Sequence, residues 1–231
     1  MRIRARGQPY YSKKPCLQTQ EWNRLNSIMK DQSRTGGNLY DKYHTRNPVA
    51  RRLMDGFLRT FDELSSSVVF RTAFEVGCGE GHLSLRLARK GISVSGCDVS
   101  ASVIDEAREN ARLTGLPADF QVRSVYDLGA DGTKADLVVC CEVLEHLENP
   151  YRALEILTRL AGSYLLLSVP REPIWRVLNM ARGSYWGSLG NTPGHLQHWS
   201  STDFVSLLRG KVEVLEIRQP LPWTMVLCRT V

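Results

Sequence analysis

The sequence predicts an α/β protein, a doubly wound and mostly parallel sheet with helices on both faces. Three observations predict it. The stretch Ala73-Phe74-Glu75-Val76-Gly77-Cys78-Gly79-Glu80-Gly81 follows the apolar run Val68-Val69-Phe70 and precedes a helical pattern of Leu83, Leu85, Leu87 and Ala88, so it reads as strand, glycine turn, helix. Short apolar runs then alternate with amphipathic helical patterns, the order that builds a parallel sheet. The chain ends in two strand-like runs, 212–217 and 223–229, joined by Gln219-Pro220-Leu221-Pro222. That joint is too short for a crossover, so the two runs are expected to pair antiparallel.

The elements follow in chain order. Residues 1–36 are irregular around Gly7, Pro9 and Pro15, with a helical patch over 21–30 and a break at Gly36-Gly37. Asn47-Pro48 reads as a helix cap with proline at the first helical position. That helix is expected to run to about Thr60, with Val49, Leu53, Phe57 and Leu58 on one face. Tyr40 and Tyr43, just ahead of it, either pack the helix onto the domain or belong to a lid over the ligand loop. After the glycine loop, residues 92–98 form a second strand ending in Asp98, and 101–113 a helix with Val103, Ile104, Ala107 and Ala111 inward. A third strand covers about 119–123, followed by a loop with Tyr126 and Asp127. Residues 135–141 are apolar apart from Asp136, as a strand buried on both faces should be. Asn149-Pro150 caps a helix with Leu154, Leu157 and Leu160 inward, and a fifth strand, 163–169, stops at Pro170. The connection 170–200 is long and holds Trp175, Trp186 and Gly194-His195-Leu196-Gln197-His198-Trp199. Connections of this length inside a domain are usually functional. Ser200 with Asp203 predicts a capped short helix through Leu208.

Length and composition bound the answer. The 231 residues suit one sizeable α/β domain with an extension, divided as a basic N-terminal extension or lid over 1–60 and the main domain over 61–231. A hydrophobic fraction of 42% excludes a disordered chain. No run approaches the roughly 18 apolar residues of a membrane span. The first twenty residues are basic and acid-free but have no apolar core, so no secretory signal is expected. The six cysteines, at 16, 78, 97, 140, 141 and 228, include no CxxC pair, and four lie in or beside buried strands. That pattern indicates a reducing, cytoplasmic setting with neither disulfides nor zinc. Net charge is +6 but uneven: residues 1–60 carry 13 Lys and Arg against 4 Asp and Glu, or +9, and the remainder −3. The basic arm is either a solvated surface or a surface for an anionic partner such as RNA or an acidic substrate.

The glycine loop is built to let a ligand touch backbone, since a Cβ would block the approach. A dinucleotide fits the spacing of Gly77, Gly79 and Asp98. Its third glycine, however, belongs at position 82, where this chain has His82. The segment Glu75-Val76-Gly77-Cys78-Gly79-Glu80-Gly81 resembles motif I of class I S-adenosylmethionine-dependent methyltransferases, of the type 11/12 kind. The resemblance extends to Asp98 and to Asp136-Leu137-Val138-Val139-Cys140-Cys141-Glu142-Val143-Leu144-Glu145-His146-Leu147, and it covers roughly 65–231. It implies a Rossmann-like seven-stranded sheet with the last strand antiparallel, and S-adenosyl-L-methionine as cofactor. It implies further that Gly77, Cys78 and Gly79 meet the methionine part, that Glu75 holds the loop, and that Asp98 accepts both ribose hydroxyls. Cys141 would lie at the end of the fourth strand beside the cofactor. The adenine contact is left between Val125 backbone and Asp127, because Ser124 stands where the family often places an acid.

Glu142, Glu145 and His146 are spaced i, i+3, i+4, and a helical turn starting after Cys141 would put them on one face. Two carboxylates so placed repel unless protonated or bridged by a cation. With an imidazole and waters they suit Mg²⁺ or a similar ion. The pattern resembles the ubiquinone-pathway O-methyltransferases, where such a segment is linked to a divalent ion. It also resembles small-RNA 2′-O-methyltransferases, where a downstream His, here His195 or His198, completes the site. The same turn occurs without metal, and His146, His195 or His198 would then serve as general base. The expected function is methylation of a small molecule, at the oxygen of a hydroxyl or phenol, with Tyr40, Tyr43, Trp175, Trp186 and Trp199 available to line an apolar acceptor pocket. The alternatives are an RNA 2′-O-methyltransferase with a Mg²⁺-binding Glu/Glu/His cluster and a non-catalytic cofactor-binding subunit.

Overall fold

The structure, a computed structural model, describes residues 47–130, 132–181, 183 and 185–231. The expected helical patch over 21–30, the Gly36-Gly37 break, Tyr40, Tyr43 and Cys16 lie outside the described residues. The chain divides between Thr35 and Gly36, and everything described belongs to the second unit.

Helix α1 is Pro48–Ser66. Asn47 Oδ1 accepts from the amides of Val49 (2.9 Å) and Ala50 (3.2 Å), satisfying two of the donors a helix start leaves over. The helix outruns the expected Thr60 because its apolar stripe continues. Met54, Phe57, Phe61 and Leu64 are buried, while Val49, expected on that face, is exposed. Strand β1 (Thr72–Val76) leads through the glycine loop into α2 (His82–Ala88). Then come β2 (Ser93–Asp98), α3 (Ala101–Thr114), β3 (Ala118–Val122), β4 (Ala135–Cys141), α4 (Pro150–Leu160) and β5 (Ala161–Pro170). Asn149 Oδ1 caps α4 through the Arg152 amide (3.0 Å), and Leu154, Leu157 and Leu160 are buried as the periodicity requires.

The connection after β5 is not wholly irregular. It contains helix α5 (Ile174–Ala181) and a 3₁₀ turn at Trp186–Ser188. Helix α5 carries a helical apolar spacing at Ile174, Val177, Leu178 and Ala181 that reading 170–200 as a long connection passes over, and its one fully buried residue is polar. Asn179 donates to Gly190 O (2.8 Å) and Thr192 Oγ1 (3.1 Å), so the helix docks on its own following loop by hydrogen bonds. Helix α6 (Ser201–Leu208) forms as expected, with Ser200 Oγ accepting from the Asp203 amide (3.2 Å) and donating to its carboxylate (2.7 Å). Strands β6 (Val212–Arg218) and β7 (Trp223–Thr230) close the sheet.

The sheet order is β3-β2-β1-β4-β5-β7-β6. β1 to β5 are parallel, and β7 runs antiparallel to both β5 and β6. This is the seven-stranded Rossmann-like sheet with one reversed strand. The chain winds outward from β1 to β3 and then returns to β4 on the other side, so a crevice opens at the carboxyl ends of β1 and β4. Two apolar layers sandwich the sheet. One is built on α4 and α6, with Leu154, Leu157, Leu160 and Phe204. The other is built on α1 and α2, with Phe57, Phe61, Leu83 and Leu87 against Leu137, Val139 and Leu166. Among the described residues no helix is long and apolar enough to cross a membrane.

Candidate active site

The crevice floor is the loop after β1. The amides of Gly77 and Cys78 both donate to Cys97 O (2.8 and 2.9 Å), folding the loop over the end of β2. Gly77 has φ 71°, and a Cβ there would stand 2.2 Å from Val143 Cγ2. Gly79 has φ 53°, and a Cβ there would meet nothing within 4 Å. The first glycine is needed by the protein's own packing, whereas the second leaves an open place for a ligand.

Asp98 ends β2 and faces this place. Its Oδ2 accepts from the Gly79 amide (3.2 Å) and its Oδ1 from the Ser100 amide (3.0 Å), so the carboxylate is oriented by the loop. Glu75 is buried beneath. Its Oε2 accepts from the Ser84 amide (2.8 Å) and hydroxyl (2.5 Å), which ties β1 to the first turn of α2. Burial pushes its carboxyl up to about 8, against the smaller pull of the Ser84 bonds. The folded state therefore holds a proton that the unfolded chain releases near pH 4.5, and stability is lost as pH rises from there through about 8. Urea unfolding across that window should lose stability by up to about 1.4 kcal/mol per pH unit from this group. Glu75→Gln, which keeps the acceptor and removes the titration, should flatten the curve; an unchanged pH dependence would show that Glu75 does not carry the proton.

Cys78 in the glycine loop, Cys97 in β2 and Cys140 and Cys141 in β4 are free, buried thiols. Burial raises all four, Cys97 to about 12, so they pack as small apolar groups. Beyond β3, Ser124 Oγ accepts from the Tyr126 amide (3.2 Å). Val125 is buried there, while Asp127 is exposed on the same short turn.

The structure does not put Glu142, Glu145 and His146 on one face. No α-helical turn starts after Cys141. Glu142 instead takes φ 60°, and a 3₁₀ turn begins only at Leu144. The Glu142 carboxylate points to the β5 and β7 side, accepting from Ser168 Oγ (3.0 Å) and Trp223 Nε1 (2.6 Å). Glu145 and His146 meet His195 instead, and one ligand atom from each of the three lies within 4.8 Å of the others. The long connection delivers His195: Glu145 O accepts from the amides of Leu196 (2.8 Å) and Gln197 (3.0 Å). Glu145 and His195 are buried and His146 is exposed. His146 Nδ1 lies 2.9 Å from Gly194 O, and a carbonyl only accepts, so Nδ1 carries the hydrogen. In neutral His146 the lone pair is therefore on Nε2, 4.0 Å from Glu145 Oε1. Trp175 stacks on His195 (5.8 Å, 25°) and donates to Thr192 Oγ1 (2.9 Å).

His198 does not join this group. It is exposed, with Nδ1 3.7 Å from Glu172 Oε1. Of the tryptophans expected to line an acceptor pocket, Trp175 stands at the histidines, Trp186 is exposed, and Trp199 packs on Phe204 (5.9 Å). Sequence reasoning missed Ser168, Trp223 and Val143. Ser168 carried a signal, a single hydroxyl inside the apolar run Leu165-Leu166-Leu167-Ser168-Val169, because a buried hydroxyl needs a partner. Val143 carried none.

Residues 73–161 match the family described as "Methyltransferase domain". Among curated relatives, the ubiquinone biosynthesis O-methyltransferase of Coxiella burnetii is 29% identical over 149 residues, covering 58% of this chain and 63% of the relative. The enzyme of that name from Xanthomonas euvesicatoria is 32% identical over 146 residues, covering 62% and 58%. The match thus spans about three fifths of these relatives' length. Among solved structures, the magnesium protoporphyrin IX methyltransferase of Synechocystis with bound S-adenosylhomocysteine aligns over 92% of this chain and 95% of its own, with TM-score 0.65 and 20% identity. A [4+2]-cyclase aligns over 89% and 91%, with TM-score 0.61 and 19% identity, so the fold alone does not fix the reaction. Residues 73–161 match a methyltransferase domain, and the fold is that of the solved methyltransferase it aligns with.

Proposed function

We propose that the protein transfers a methyl group from S-adenosylmethionine to the oxygen of a small molecule carrying a hydroxyl or phenol. The observation that carries this reading is the Glu145, His146 and His195 cluster, which begins two residues after Val143, the residue packed on Gly77 of the glycine loop. Val143 touches Gly77, and three residues on, His146 stands beside Glu145 and His195. When bound, the cofactor supplies a methyl group on a sulfonium, with a neutral thioether as leaving group. Asp98 would hold its ribose, and the bare backbone at Gly79 its methionine end. His146 Nε2 takes the acceptor's hydroxyl proton, and buried Glu145 stabilises the imidazolium that results. Orientation of the acceptor supplies much of the rest, since methyl transfer from a sulfonium needs chiefly alignment. The names of the curated relatives support oxygen as the methylated atom; nothing in them supports the RNA alternative.

A second reading is favoured by the same cluster. Glu145, His146 and His195 fit a divalent cation, which would acidify an acceptor hydroxyl lying on it. One carboxylate with two imidazoles suits Mn²⁺, Fe²⁺ or Zn²⁺ better than Mg²⁺, which prefers oxygen ligands. Residues 1–60 complete the proposal as a basic N-terminal extension to the main domain over 61–231. The five buried free cysteines among the described residues support a cytoplasmic setting.

The test is transfer of radiolabelled methyl from S-adenosylmethionine to a panel of catechols, phenols, aliphatic hydroxy acids and total RNA. Label in a phenolic or hydroxyl compound, lowered roughly 100-fold or more by His146→Gln, is the expected result. Label confined to RNA or to an amine would overturn the acceptor class. Repeating the assay after chelation, with Mn²⁺ or Mg²⁺ restored, separates the two readings. Full rate in chelator leaves the base and removes the metal.

A further inference from the structure

We propose that Glu142 is a positioning residue, and that Trp223 and Ser168 form the grip through which it fixes the exit of β4. Four observations converge on it. Glu142 is the first residue past β4 and adopts φ 60°, a left-handed conformation that is uncommon for a residue with a side chain. Its amide donates to Ser168 O (3.1 Å), carrying the β4–β5 pairing one residue beyond the strand. Its carboxylate closes the same link from the side-chain direction, one oxygen on Ser168 Oγ and the other on Trp223 Nε1. Trp223 is buried and braced by rings from two other elements, Phe57 of α1 at 5.0 Å and Trp175 of the connection at 6.0 Å. One carboxylate therefore joins the ends of β4, β5 and β7.

The next residue shows what the grip is for. The left-handed turn at Glu142 redirects the chain so that Val143 Cγ2 occupies the place a Gly77 Cβ would need. It then enters the 3₁₀ turn that presents Glu145 and His146 to His195. Were the turn to relax to a right-handed conformation, Val143 would leave Gly77 and the cofactor loop would lose its backing. Glu142 thus acts on the cofactor site through Val143, without touching the cofactor itself. Charge-assisted hydrogen bonds, one of them to a buried indole, suit such a fastening because the carboxylate is an acceptor at both oxygens.

This inference rests on the proposed cofactor reading only in taking S-adenosylhomocysteine as its probe, and the experiment separates the two. The folded 231-residue chain is titrated with S-adenosylhomocysteine by calorimetry. If the wild type gives no heat, the cofactor reading fails. If the wild type binds, four variants test the grip. Trp223→Phe keeps the ring against Phe57 and Trp175 but has no N–H. Ser168→Ala removes the other donor. Glu142→Gly removes the carboxylate while easing the left-handed backbone. Trp223→Phe and Glu142→Gly are each expected to weaken binding roughly tenfold, the scale of one lost charge-assisted bond. Glu142→Gln should move the indole N–H resonance of Trp223 upfield and leave those of the other tryptophans in place. Affinity within twofold of wild type in Glu142→Gly and Trp223→Phe would overturn the proposal. So would an indole resonance that does not respond to Glu142→Gln. A fall in melting temperature with affinity unchanged would show a structural fastening only, and would overturn it equally.

Discussion

Asp98→Ala is expected to weaken binding of S-adenosylhomocysteine by roughly 100-fold or more while the protein stays folded, because in the proposed placement two charge-assisted hydrogen bonds to the ribose hydroxyls are lost together. The carboxylate is set for that role before any ligand arrives. One oxygen is steered by the Gly79 amide and the other by the Ser100 amide, so little order is left to be gained on binding. Half-burial between β2 and the glycine loop moderates the effect relative to a fully dry site. Asp98→Asn keeps the shape and one acceptor oxygen, and its loss should be nearer tenfold. Calorimetry with S-adenosylhomocysteine reads both, and circular dichroism checks the fold. An Asp98→Ala protein that binds within threefold of wild type would mean that the ribose lies elsewhere, and the proposed cofactor placement would go with it.

How much of this was legible in the sequence depends on whether local chemistry or tertiary contact sets each feature. The caps Asn47-Pro48, Asn149-Pro150 and Ser200 with Asp203 all form as read, because a cap is decided within four residues. The reversed β7 follows from a joint too short for anything but a hairpin turn. The failures share a cause. Expecting Glu142, Glu145 and His146 on one face assumes that helical spacing begins at Cys141, but Glu142 is drawn the other way by Trp223, a residue 81 positions later in the chain. His195 takes its place beside Glu145 because the Glu145 carbonyl pairs with the amides at 196 and 197. No periodicity in either segment encodes that meeting.

The two glycines of the loop should separate folding from binding. Gly77→Ala places a methyl 2.2 Å from Val143 Cγ2 at φ 71°, so it combines a clash with a left-handed alanine. Together these should cost about 2–5 kcal/mol, which for a domain of this size lowers the melting temperature by roughly 5–15 °C. Gly79→Ala carries only the backbone penalty of about 1–2 kcal/mol, since its methyl enters open space. That space is where the cofactor's methionine end is proposed to lie, so affinity for S-adenosylhomocysteine should fall at least tenfold there, by steric exclusion. The assignment of the Gly77 effect to one atom is testable by adding Val143→Ala. Removing Cγ2 relieves the clash, so the double variant should be more stable than the two separate losses predict, by about 1 kcal/mol or more. Strict additivity in that cycle would place the strain elsewhere. A Gly79→Ala protein with unchanged affinity would show that the open place beside Asp98 is not where the ligand meets the backbone.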